Sequence, residues 1–253
     1  MKLRSLGRDN NLLEPIKRKM KRIFVPTISG SDWQRLLGKP KLHWKKGYSA
    51  MSAAACWEDN HPNLPSEIVE TLHSTDELSL KSLELLAAIP EWEVDLPGGD
   101  RPSQTDILAI TRNENDLVIL AVEAKVEEPF GPTLEEKKNG ASEGQLSRIS
   151  YLEDMLGRTT PFPSHIRYQL LHRSVSALLT AKSFHSSIAV MLVHSFSQSS
   201  KWRNEFEAFC SELKCTSLSN DVWEVPNIKD GRLLLGWCKG NPAYLAMELP
   251  SGL

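Results

Sequence analysis

The chain has 253 residues, 40% hydrophobic and 25% charged, the make-up of an ordinary globular protein rather than a disordered or disulfide-built one. Its longest apolar runs, residues 117–122 and 188–193, fall far short of the roughly 18 a membrane span needs, and the opening residues hold no stretch of signal-peptide type. Net charge is −2, but residues 1–22 carry eight Lys/Arg against Asp9 and Glu14, a net of +6, which leaves −8 for the remainder and excludes a uniformly basic nucleic-acid surface.

Residues 1–25 read as a basic, solvated arm, and 26–253 as a single domain with its core at about 66–196. The stretch to Pro65 is rich in aromatics and turn residues (Trp33, Trp44, Trp57, Pro40, Pro62) and is expected to wrap the core with short helices. A helix should start near Pro65, since proline suits a first helical turn. A second is expected over 74–89. Ser74 to Glu77 has capping-box form, Leu78, Ser82, Leu85 and Ile89 follow at helical spacing, and Pro90 stops it.

Strands follow. Residues 91–96 alternate and end at Pro97, Gly98 and Gly99. Residues 105–111 and 117–126 flank a segment of turn composition and read as a hairpin. Helices are expected near 143–156 and 164–182. Residues 188–196 form a strand apolar on both faces, hence buried. A helix near 201–213 comes next, and 232–238 with 244–249 look like a hairpin turning at 239–242. The order implies an α/β fold: a mixed central sheet flanked by helices, with an N-terminal wrap and a C-terminal hairpin extension. Cys56, Cys210, Cys215 and Cys238 make no CxxC pair and read as reduced cytoplasmic thiols rather than a zinc set.

The strand at 117–126 carries the informative oddity. Alternation points Glu123 and Lys125 to one face, and Val118, Leu120, Val122, Ala124 and Val126 to the other. A carboxylate and an ammonium on a mostly apolar strand are costly to bury without partners. Asp106, on the preceding strand, is the candidate partner for Glu123. Two hard carboxylates suit Mg²⁺ or Mn²⁺, and a lysine beside them can orient a water or hold developing negative charge. The plainer alternative is a salt-bridged Glu123–Lys125 pair with Asp106 solvated nearby.

Asp106 followed by Glu123, Ala124 and Lys125, in a helix, three-strand, helix, strand order over about 66–196, resembles the PD-(D/E)XK nuclease superfamily. Thr105 stands where that motif often has proline, and the nearest upstream proline is Pro102. GYSAM (47–51), LPGGDRPSQTD (96–106), EAKVEEPFGP (123–132), RYQLLHR (167–173) and VHSFS (193–197) are also similar to an uncharacterised bacterial family placed near these nucleases, a likeness that brings no activity. The resemblance implies a restriction-endonuclease-like core in which Asp106 and Glu123 bind divalent metal and Lys125 is catalytic. It also implies a glutamate from the first core helix at the metal. Glu67, Glu70, Glu77 and Glu84 compete, and Glu67, at a helix start, is preferred. On the helix after the motif strand, Gln169, Arg173, Ser176 and Thr180 form a polar stripe opposite Leu171, Val175, Leu178 and Leu179; the resemblance implies that this helix faces the site, which makes Gln169 and Arg173 candidates to touch the scissile phosphate. Solvent would be their ordinary partner.

Gln145 reads as the capping-box partner of Ser142. His165, His172 and His194 read as hydrogen-bonded structural histidines. Residues 127–132 should form a stiff loop at the site mouth, and Trp57 with Glu58, Asp59 and His61 reads as packing plus a polar loop. The expected function is a divalent-metal-dependent nuclease acting on DNA as a homodimer in the cytoplasm. The alternative is a catalytically silent nuclease-like fold that binds nucleic acid or protein. Nothing of Walker, GxGxxG or GxSxG type is present.

Overall fold

The alternating and apolar stretches assemble, among the described residues of this computed structural model (24, 26–99 and 101–251), into a seven-stranded sheet. Apart from Phe24, the expected basic arm lies outside the described residues. The strands are β1 (Glu84–Val94), β2 (Ser103–Arg112), β3 (Leu117–Lys125), β4 (Ile188–Ser195), β5 (Thr216–Ser217), β6 (Val222–Val225) and β7 (Arg232–Lys239). They lie in the order β1-β2-β3-β4-β7-β6-β5. β1, β2 and β3 form an antiparallel meander, β3 with β4 and β4 with β7 are parallel, and β6 with β7 is antiparallel. The β2–β3 turn forms because Asn113 Oδ1 accepts the N–H groups of Asn115 and Asp116. The fold is therefore α/β with a mixed sheet.

The helices are α1 (Pro40–His43), α2 (Ser49–Asn60), α3 (Ser66–His73), α4 (Leu134–Lys138), α5 (Glu143–Met155), α6 (Tyr168–Ser183) and α7 (Arg203–Glu212). Helices α4 to α6 make the crossover that two parallel strands require between β3 and β4. Alternation along the strands divides the core by face. Leu108, Ile119, Met191 and Val193 pack under α5, α6 and α7, through Ile149, Leu171, Val175 and Phe206. Ile107, Leu120, Val122 and Leu192 pack under α2 and α3, through Ala54, Cys56, Ile68 and Leu72. No helix of the described residues is long and apolar enough to cross a membrane.

Three expectations need correction. The helix expected over 74–89 does not form: α3 ends at His73, a short 3-10 turn spans Leu78–Leu80, and residues 84–94 are strand. Pro90 is tolerated there because β1 is an edge strand and needs hydrogen bonds on one side only. The C-terminal hairpin partner of β7 is β6, not residues 244–249; Pro242–Ala246 is a 3-10 turn capped by the Asn241 side chain. The N-terminal wrap is more regular than expected, since α2 runs for 12 residues, with Ala53, Ala54 and Ala55 buried in the core.

Candidate active site

The face under α6 receives the charged residues of β3. With the even-numbered side chains committed to the α2–α3 face, Glu123 and Lys125 point beneath α6, 2% and 4% exposed. The β2–β3 ladder ends at the Ile107–Val122 pair, and one further step sets Asp106 opposite Glu123 on the same face. The Asp106 Oδ2 atom accepts the Ala124 N–H at 2.8 Å, in place of a backbone carbonyl. The structure thus brings Asp106, Glu123 and Lys125 together.

Glu123 is the hub. Its Oε1 accepts from Lys125 Nζ at 2.7 Å and from Gln169 Nε2 at 2.6 Å, and its Oε2 accepts from Arg173 Nε at 2.5 Å. Arg173 also donates through Nη1 to Ser103 Oγ at 3.0 Å, and Ser103 Oγ meets His172 Nδ1 at 2.8 Å. The Lys125 ammonium lies over the Phe130 ring, 5.3 Å from its centre. Burial pushes Glu123 toward its neutral form, but Arg173 and Lys125 outweigh it and hold the carboxylate below its usual range. Burial likewise works against the Arg173 charge, and Glu123 and Asp106 more than restore it. His172 is held well below its usual value, first by burial and then by Arg173.

A third carboxylate joins this group. Pro90 pairs with Ile107 and Trp92 with Thr105, so Glu91 stands beside Asp106. Its φ of +53° lies in the left-handed region, a strained conformation for a glutamate. Burial, Asp106 and Glu123 push Glu91 up to about 9, and burial with Glu123 pushes Asp106 up to about 7. Glu91 and Asp106 are half-buried and reach solvent, whereas Glu123 and Lys125 do not. Sequence reasoning missed Glu91 because it ended a helix at Pro90. A meander register carried through that proline would have found it.

The donor set is all hard oxygen, and burial first, then the neighbouring carboxylates, raises Glu91 and Asp106. Glu123 engages three of its roughly four lone-pair sites, leaving one on Oε2. The donor chemistry of Asp106, Glu91 and the Oε2 edge of Glu123 is the kind a divalent cation takes, but among the described residues the Cys/His/Asp/Glu set whose ligand atoms all lie within 4.8 Å of one another is Cys56, Glu67 and His194, not these three.

The remaining expectations sort cleanly. Glu67 does not join Asp106 and Glu123. It lies on the opposite face of the sheet, where its Oε1 meets His194 Nε2 at 3.3 Å. Glu70 is exposed, Glu77 pairs with Arg232 at 3.0 Å, and Glu84 pairs with Arg112 at the surface. Gln169 and Arg173 face the sheet rather than solvent, and their donors go to Glu123. Ser176 returns to the His172 carbonyl, and Thr180 accepts from Trp92 Nε1. Gln145 and Ser142 form the expected capping box. His165 is exposed, while His172 bonds Ser103. The loop at 127–132 is pinned by Lys201 on Glu127 and by Trp202 Nε1 on the Glu127 carbonyl. Glu58 accepts from Trp33 and Asp59 from Tyr244, so both fasten the wrap.

A family model described as Domain of unknown function (DUF6946) matches residues 26–242. No curated protein and no solved structure matches the chain.

Proposed function

The chain belongs to this family of unassigned function, so its activity has to be argued from the site, and we propose that it is a divalent-metal-dependent nuclease hydrolysing phosphodiester bonds in DNA. One observation carries the reading: Asp106, Glu123 and Lys125 share one face where β2 and β3 part, with Glu91 beside them. A restriction-endonuclease-like core is part of the proposal, as are a homodimer, which suits two cuts on a duplex, and the cytoplasm, which suits four free thiols. Asp106, Glu123 and Glu91 would hold Mg²⁺ or Mn²⁺, which supplies charge neutralisation at the phosphoryl oxygen and an acidified water.

The chain's own groups do the rest. Lys125 holds negative charge that develops on the phosphoryl group. Gln169 and Arg173 act as positioning residues, because their donors fix both Glu123 oxygens. The left-handed backbone at Glu91 is a local strain beside the site, and its carboxylate is close enough to Asp106 and Glu123 to be raised by them after burial. Purified protein with Mg²⁺ or Mn²⁺ should cut plasmid or single-stranded DNA. Chelation should abolish the cutting, and Asp106→Asn and Lys125→Ala should each lower it by about 100-fold or more. Cleavage that persists unchanged in both variants ends the proposal.

A second reading has its own support. Glu123 is buried and bound by three donors in the form described, which suits a silent structural ion cluster on a nucleic-acid- or protein-binding module. Calorimetric titration with Mn²⁺ separates the two. The nuclease binds the ion and loses it on Asp106→Ala, while the silent module takes up none.

A further inference from the structure

Across the sheet, Cys56 of α2, Glu67 of α3 and His194 of β4 bring a thiol, a carboxylate and an imidazole within 4.8 Å of one another, and we propose that they form a zinc site tying the N-terminal helices to the sheet. This inference does not rest on the nuclease reading, since it concerns the other face and other residues.

The donor set is the first argument. Sulfur, nitrogen and one carboxylate oxygen are the ligands zinc favours, and they are not the all-oxygen set that suits Mg²⁺. The second is spacing. Cys56 Sγ lies 3.6 Å from Glu67 Oε1, and His194 Nε2 lies 3.3 Å from the same oxygen. Ligands held tetrahedrally at about 2.0–2.3 Å from a zinc ion stand roughly 3.3–3.7 Å apart. As a direct hydrogen bond the His194 contact is long. Glu67 Oε1 is approached by three donors at once, with the Asn241 N–H at 3.1 Å, and none is short.

The third argument is burial. Cys56 and His194 are wholly buried, and His194 Nδ1 finds no partner among the described residues, so the long contact to Glu67 is the imidazole's one hydrogen bond. A zinc ion at Nε2 would replace that long contact with a ligand bond and fix the ring's proton on Nδ1. Outer contacts are in place at two of the three ligands. The Asn241 N–H orients Glu67, and Asn60 Nδ2 lies 3.9 Å from Cys56 Sγ, placed to support a thiolate. Phe196 packs on this site, its ring centre 4.4 Å from that of His194, and the three ligands leave the fourth tetrahedral position to a further group. The ligands stand 11 and 127 residues apart in sequence, on three elements, so no zinc motif is visible there.

Chelator-treated full-length protein, titrated with Zn²⁺ against a chromophoric chelator, should bind one zinc per chain. Zinc should also raise its melting temperature. Cys56→Ser and Glu67→Gln should each weaken binding by at least about 10-fold, while Cys215→Ser leaves it unchanged. Co²⁺ in place of zinc should give tetrahedral visible bands and a thiolate-to-cobalt charge-transfer band, the latter lost in Cys56→Ser. Folded wild-type protein that takes up no zinc would overturn the proposal. So would an affinity and cobalt spectrum that both variants leave untouched.

Discussion

Glu123 and Asp106 are neighbours with opposite electrostatic problems, and their variants should move stability in opposite directions. Glu123→Gln leaves the Lys125 and Arg173 charges buried beside a neutral amide, which should cost about 3–5 kcal/mol in urea unfolding. Asp106→Asn removes a carboxylate already repelled by Glu123 and keeps an oxygen for the Ala124 N–H, so it should be neutral or stabilising while losing metal binding. If Asp106→Asn unfolds as readily as Glu123→Gln, the repulsion invoked for this pocket is absent. The pH dependence follows from burial first and from the neighbouring carboxylates second. The unfolded chain releases these protons by about pH 4, whereas the folded chain holds them to about 7 at Asp106 and about 9 at Glu91. The folded state thus binds more protons in that window, and stability without metal should fall as pH rises from about 4 to 9. Solvent on the open side limits the fall to about 1–3 kcal/mol. Glu91→Gln should remove its upper part, and so should saturating Mn²⁺. A denaturation series flat across that range would contradict this proton retention. Glu123 and Lys125 were legible in the sequence because two charges on one face of an apolar strand demand a reason. Glu91 was not, because its importance depends on which strand lies beside Asp106.

The misread element shows why. Leu78, Ser82, Leu85 and Ile89 do fall at helical spacing, yet Ile89 pairs with Leu108 in the meander. Short apolar spacing is ambiguous between helix and strand, and the pairing of β1 with β2 decides it. By contrast β2, β3, β4, α5 and α6 were readable, since their patterns are long and their ends carry turn or cap residues. The true partner of β7 is only Val222–Val225, too short to signal itself. Element placement matters for the site through the β1–β2 connection, which delivers Ser103 and Asp106. That loop is held by Arg148 of α5, which donates to the carbonyls of Leu96, Pro97, Gly99 and Arg101 at 2.7–2.9 Å. Arg148→Ala should cost about 1–2 kcal/mol, as expected for a guanidinium binding two part-buried and two exposed carbonyls. It should also slow cleavage without changing which metals support it. A loss within 0.5 kcal/mol, read by urea titration, would mean that the loop holds its own shape.

At the scale of the whole molecule, the proposed nuclease activity requires the charge to be reconciled with a polyanionic substrate. The chain outside residues 1–22 carries −8, and the positive charges of the pocket, Lys125 and Arg173, are buried and committed to Glu123. Neither feature draws DNA from a distance, so on that proposal the phosphate attraction falls to a local patch or to the eight Lys/Arg of residues 1–22, and the latter is the testable source. Each phosphate neutralised releases a counterion, so binding through that segment should weaken steeply with salt, with a log–log slope of about −0.9 per contact. Deleting residues 1–22 should therefore flatten the slope and weaken binding to duplex DNA. At low salt and high substrate it should leave the turnover of short oligonucleotides nearly unchanged, because Asp106, Glu123 and Lys125 lie within the residues the family model matches. Fluorescence anisotropy across a salt series on the full chain and the deletion variant makes the comparison. An unaltered slope would move the DNA contact onto the acidic body, where it would have to be carried by shape and by the bound cation instead of by the leading basic residues.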